Sequence, residues 1–161
     1  MKYPEDELYE LVQAINPDAI INSSTVYVLR HTCKRLPAGS QHRYTIQIES
    51  HPGGPYYGPE DIRYDKYNMT EYSESVPLEL PRGKYKRTWE LIPVLYEHYG
   101  FWVREEDIIQ DSVRSDKGLR FTNQCILYEG TIRIVFDDEL DLEEAIQDAD
   151  LNGFKQEVLD E

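Results

Sequence analysis

Two cysteines in 161 residues, Cys33 and Cys125, lie far apart and outside any CxxC pair, so neither a zinc ribbon nor a redox motif is signalled. Both are expected to be buried free thiols, Cys125 because it alternates with apolar neighbours in a strand-like run. Four histidines, His31, His42, His51 and His98, never fall at ligand spacing on one element, which argues against a resident metal. Long apolar runs are also missing. None approaches the ~18 residues that a bilayer span needs, and no membrane association is expected. The start, Met1 to Glu7, lacks the basic opening and apolar core of a secretion signal, so a cytoplasmic site of synthesis and residence is expected.

The signature motifs of catalysis are absent as well: no GxxxxGK[ST] loop, no GxGxxG after a strand, no GxSxG elbow and no HExxH. His51-Pro52-Gly53-Gly54 has the look of an esterase oxyanion loop, but without a nucleophile elbow it reads as a loop. Acidic pairs such as Glu105-Glu106 are expected by composition alone among 31 acidic residues. A protein that is not an enzyme, with no cofactor and no small-molecule substrate, is the expectation.

What the sequence does have is acid, unevenly placed. The net charge of −14 suggests at first a binder of basic partners. Residues 137–161, however, hold eleven acids against Lys155, a net −10, while residues 1–136 balance 16 bases against 20 acids. No basic patch with interleaved aromatics marks the body as a nucleic-acid binder. The nearest approach, Arg82-Gly83-Lys84-Tyr85-Lys86-Arg87, reads as a basic linker. Asp148-Ala149-Asp150-Leu151-Asn152-Gly153 copies the first half of an EF-hand loop, but Leu159 stands where the bidentate glutamate belongs, so an acidic loop is favoured over a calcium site.

Leu8, Leu11, Val12 and Ile15 recur at helical spacing and predict a helix from Pro4 to Ile15, with Glu5, Asp6 and Glu7 suiting its positive end. Strands are predicted at Thr25–Arg30, Arg43–Glu49 and Asp61–Tyr64, separated by Leu36–Ser40 and His51–Pro59 loops. Thr88 is read as the cap of a second helix ending at Gly100. It is followed by strands over Gly118–Leu127 and Thr131–Phe136. The same order, helix, strands, Tyr-Gly turn, returning strand, occurs twice, with Tyr57-Gly58 matched by Tyr128-Glu129-Gly130. The predicted fold class is therefore α+β: two pseudo-repeated α-β-β-β halves, residues 1–80 and 81–136. They would form an antiparallel or mixed sheet structure with two main helices, followed by an acidic C-terminal segment, 137–161.

Thirteen tyrosines are present, five of them between Tyr56 and Tyr72. Tyrosine gives a large rigid contact area and a hydroxyl, so an interface role and a sheet-covering role are both open.

In order along the chain, the Leu-rich helix ending at Asn16, Tyr57-Gly58, Ile62-Arg63-Tyr64-Asp65, Tyr99-Gly100, Glu106-Asp107-Ile108, Leu127-Tyr128-Glu129-Gly130-Thr131 and Leu151-Asn152-Gly153-Phe154 resemble a virion structural protein family of large tailed bacteriophages. The resemblance implies a capsid or tail accessory or decoration component. Such a component would assemble in the host cytoplasm and bind other virion proteins or copies of itself; within the tyrosine-rich stretch, Tyr56, Tyr57, Tyr64 and Tyr67 are the expected interface residues. The alternative reading is a small acidic phage protein that binds and inhibits a host nucleic-acid-handling enzyme through residues 137–161.

Overall fold

Proline at the first helical position and three acids in the first turn open α1, Pro4–Ile15, in the computed structural model, which describes residues 2–137. Asp6 Oδ2 accepts a hydrogen bond from the Tyr3 amide at 3.1 Å, closing the helix start. At the other end Asn16 Nδ2 donates to Val12 O, and the chain turns away before Pro17. The predicted apolar stripe divides in two. Leu8 and Val12 are buried along with Pro4 and Tyr9, whereas Leu11 is 40% and Ile15 78% exposed.

Three strands form an antiparallel meander after α1: β1 (Val26–Arg35), β2 (Tyr44–Ser50) and β3 (Pro59–Tyr64), in the order β1-β2-β3. The β2–β3 register runs unbroken from Tyr44 opposite Tyr64 to Glu49 opposite Pro59. The β1–β2 register shifts between Leu29 and Lys34. There Thr32 fills the gap: its hydroxyl donates to Leu29 O at 2.6 Å and accepts from the Gln47 amide at 2.8 Å, so the bulge leaves no ladder donor unmet at that point.

The remaining elements are short: β4 (Tyr67–Asn68), α2 (Met69–Ser75), β5 (Leu78–Leu80), α3 (Ile92–Tyr99), β6 (Leu119–Arg120), β7 (Tyr128–Glu129), β8 (Thr131–Ile132) and β9 (Ile134–Phe136). Pairs β4–β7 and β5–β9 are parallel and β6–β8 is antiparallel. Parallel neighbours need long crossovers, and these two pairs each join a strand before residue 81 to one after it. The architecture is α+β, with three α-helices and several small sheets among the described residues. One cluster of buried side chains runs from Leu8 and Ile46 through Leu78 and Leu95 to Ile132 and Phe136.

Four local expectations are corrected. Thr88 is not a helix cap: it opens a 3₁₀ turn, Thr88–Leu91, ahead of α3, and its hydroxyl instead ties two segments, donating to Ile109 O and accepting from the Asp111 amide. The run from Gly118 to Leu127 is strand only at β6, because a turn over Thr122–Cys125 brings Cys125 inside without a ladder. Thr131–Phe136 breaks at Arg133, whose amide is taken by the buried Ser73 hydroxyl at 2.9 Å. Helix α2 was not anticipated; Asn68 caps it by accepting from the Thr70 amide.

Candidate interaction surface

Since α1 buries only Leu8, Val12, Pro4 and Tyr9, its C-terminal turn leaves Ile15 in water, and Ile20 in the connection that follows is 58% exposed. The loop before β3 meets this region. Tyr56 accepts a hydrogen bond from the Ile20 amide at 2.7 Å, which fixes the loop to the helix-to-strand connection, while the neighbouring Tyr57 is 97% exposed. Between α1 and the sheet lies a hollow of about 260 Å³ whose lining includes Val12, Ile48, Ile62, Tyr56 and Tyr57. Exposed Tyr57 lines this hollow, and exposed Ile15 lines another one that shares Tyr56, Asn16 and Ala19 with it.

A second concavity of about 330 Å³ is framed by the start of α1, the β4–α2 junction, the end of α3 and β7. Aromatic rings make its wall: Tyr67 stacks on Tyr128 at 5.8 Å between centroids, Tyr128 on Phe101 at 4.1 Å, and Phe101 on Tyr99 at 5.8 Å. At the rim the Lys2 ammonium pairs with Glu7 at 3.2 Å and Glu10 at 2.8 Å. Tyr128 is buried, and burial first, then the nearby Glu7 carboxylate, pushes its hydroxyl well above the ordinary phenol range.

The four tyrosines singled out from sequence therefore separate. Tyr56 and Tyr57 border the first hollow and Tyr67 the second, while Tyr64 belongs to the interior. The Tyr64 hydroxyl donates to Ile126 O at 2.6 Å and lies 3.1 Å from the Cys33 sulfur, so it cannot be offered to a partner in this conformation. Ile15 and Ile20 were missed as surface candidates, and Tyr72, one of the five clustered tyrosines, was not among the four singled out. The helical period assigns Ile15 to the same stripe as Leu8 and Val12, yet it is 78% exposed.

An ion-pair network fastens β1 to the second half of the chain. Arg30 Nη2 donates to the fully buried Asp107 carboxylate at 2.7 Å, and its other nitrogens lie 3.4 Å from Glu106 and 3.9 Å from Glu5. Arg104 completes it, pairing with Glu5 at 2.9 Å and stacking over the Tyr3 ring at 4.2 Å. Burial raises the Asp107 carboxyl above the usual range, while the Arg104 amide and the Arg30 and Arg104 guanidiniums pull it back.

Among the described residues no three His, Cys, Asp or Glu side chains gather as metal ligands. Burial pushes the Cys125 thiol up to about 12, so at neutral pH it is a packed hydrophobe and not a nucleophile. The half EF-hand loop, Asp148 to Gly153, lies outside the described residues. No described helix is long and apolar enough to cross a membrane.

The model of a family of unknown function, DUF7941, matches residues 1–160. The chain belongs to the DUF7941 family. That match takes in both hollows, the Asp107 network and nearly all of the acidic segment, so these are parts of one DUF7941 unit in sequence. No curated protein and no solved structure matches this DUF7941 chain.

Buried tyrosines make the DUF7941 fold sensitive to alkali. The Tyr99 hydroxyl, which donates to Val76 O, is pushed up to about 12 by burial first and the neighbouring Tyr72 second, and Tyr64 and Tyr128 move in the same direction. Each neutral phenol is thus favoured in the folded state. Its contribution is fully present below the unfolded value of about 10 and is lost as pH rises through the folded value. Ultraviolet titration should show Tyr64, Tyr99 and Tyr128 ionising in alkali only together with unfolding, and not in a separate reversible step.

Proposed function

We propose that this chain is a non-enzymatic structural protein of a tailed-bacteriophage particle, a capsid or tail accessory or decoration component that binds other virion subunits. The observation that carries the reading is the set of exposed apolar side chains on α1 and on the two loops that the Tyr56–Ile20 hydrogen bond joins, Leu11, Ile15, Ile20 and Tyr57. Fully covering a side chain of this size is worth roughly 1.5–3 kcal/mol, so three or four together supply the hydrophobic centre of a specific contact. Tyr67 and Tyr72, 43% and 51% exposed at the second hollow, offer a further contact of the same character.

The finer architectural reading belongs to this proposal. Two related halves, 1–80 and 81–136, are supported by a helix preceding strands in each and by Gly58 and Gly130, both left-handed at φ of +85° and +91°. The strand pairing is not the same in the two, a meander in the first and short cross-pairs in the second. Residues 137–161 are the acidic segment, and the alternative of an inhibitor of a host nucleic-acid-handling enzyme draws on them.

The test is complementation of a phage lacking this gene with the variant Ile15→Ser/Tyr57→Ser. Because both side chains are exposed, the melting temperature of the isolated protein should stay within a few degrees of the parent. Incorporation into purified particles should fall about tenfold or more, the effect of losing a contact worth ~1.4 kcal/mol or more. Parental incorporation would count against this surface.

A further inference from the structure

Aromatic faces attract cations, and a guanidinium, flat and with its donors in its own plane, is the cation that both stacks and hydrogen-bonds. The concavity of about 330 Å³ between α1, α2 and β7 has the composition for one. Its rings form a continuous wall: Tyr67 on Tyr128, Tyr128 on Phe101, Phe101 on Tyr99, and Tyr72 edge-on to Tyr99 at 5.8 Å. Tyr67 and Tyr72 are half exposed, so part of this wall is open to a ligand.

We infer that this hollow binds a small organic cation with N–H donors, an alkylguanidinium head, held between the ring wall, the Glu7 carboxylate and the Tyr128 hydroxyl. The fold leaves two of these groups incomplete. Tyr128 is only 6% exposed, yet among the described residues its hydroxyl has no hydrogen-bond partner. The buried or half-buried phenols nearby are satisfied, Tyr99 by Val76 O and Tyr64 by Ile126 O. A buried hydroxyl left alone costs stability, and a ligand N–H donating to it would remove that cost. The Tyr128 ring is packed 4.1 Å from Phe101, which holds the hydroxyl in place.

Glu7 lines the same hollow and supplies the charge. Burial first and the Glu7 carboxylate second keep the Tyr128 phenol neutral, so it stays a hydrogen-bonding group and adds no charge of its own. Among the described residues the Glu7 carboxylate is paired with Lys2 alone, at 3.2 Å, and Lys2 lies closer to Glu10, at 2.8 Å. Two carboxylates thus share one ammonium, which leaves the rim net negative and selects a cation over an anion. The volume is at the small end for ligand sites and suits a head group with a short alkyl stem. This assignment does not rest on the virion reading of the chain.

Titration of the full chain with n-butylguanidinium, followed by NMR of the aromatic side chains, tests this. The signals of Tyr67, Tyr72, Tyr99, Phe101 and Tyr128 should shift together, with a Kd on the order of 1 mM for a ligand of this size. n-Butylurea, flat but neutral, and tetramethylammonium, charged but without N–H donors, should each bind at least about fivefold more weakly. Glu7→Gln should weaken n-butylguanidinium about tenfold and Tyr128→Phe about fivefold. The melting temperature of Tyr128→Phe should match or exceed the parent's, because the hydroxyl removed has no partner in the free protein. N-Acetylarginine amide carries the same head on a backbone and separates two sources. Binding equal to that of n-butylguanidinium assigns the site to an arginine side chain of another protein, and binding of n-butylguanidinium alone assigns it to a free small molecule. No shift of these signals up to about 20 mM, equal binding of n-butylurea or tetramethylammonium, or parental affinity in either variant would each overturn the inference.

Discussion

Replacing Asp107 with alanine should lower the free energy of unfolding by about 3 kcal/mol, measured by denaturant titration, the cost expected when one member of a buried ion pair is removed. Three consequences add. The Arg30 guanidinium loses its shortest partner, at 2.7 Å; the Arg104 amide loses the Oδ2 acceptor at 3.0 Å; and the space vacated is fully buried. Arg30 keeps Glu106 and the more distant Glu5 and is itself a quarter exposed, which holds the loss at the lower end of the range for buried pairs. The exposed pair Arg114–Asp116, at 2.8 Å, provides the contrast: Asp116→Ala should cost well under 1 kcal/mol, because water already screens both groups. Equal effects at Asp107 and Asp116 would mean that the network does not hold β1 against the second half.

Gly130→Ala should cost about 3 kcal/mol, and Gly58→Ala about 1 kcal/mol, although sequence makes the two glycines look equivalent. Both have φ near +90°, where a Cβ is strained. At Gly58 the added methyl meets open space. At Gly130 it would collide with Thr70 Oγ1 and approach the Thr70 amide to 3.1 Å. Thr70 cannot swing aside freely, since its hydroxyl accepts from the Thr131 amide at 2.8 Å and so joins α2 to β8. Alanine at 130 therefore adds a broken hydrogen bond, worth about 1 kcal/mol, and a backbone shift to the conformational strain that alanine at 58 feels alone. Melting curves of the two variants decide the point.

The elements legible in the sequence were those carried by long periodic runs. Pro4–Ile15 appears as a helix with those bounds, and the β-branched runs around Val26 and Tyr44 appear as the two longest strands. The second half was harder to read because its strands are two or three residues long and owe their existence to partners distant in sequence. Leu119 is strand because Ile132 lies opposite, not because of its neighbours, and Arg133 breaks a β-branched run because Ser73 takes its amide. Periodicity reports which side chains are apolar, not how far the surface they pack on extends. Hence Leu8 and Ile15 look alike in sequence and differ from 1% to 78% in exposure. The tyrosine excess was visible, but burial sorts its members: Tyr64 is core, Tyr57 is open, and Tyr67 leans on Tyr128.

The proposal that this chain is a component of a phage particle is tested most directly by quantitative mass spectrometry of gradient-purified particles of a phage carrying its gene. The account predicts the protein at a fixed copy number per particle that survives a high-salt wash, as expected of a contact centred on Ile15, Ile20 and Tyr57 and not on screened surface charge. Its absence from washed particles, with the protein present in the infected-cell lysate, would contradict that account.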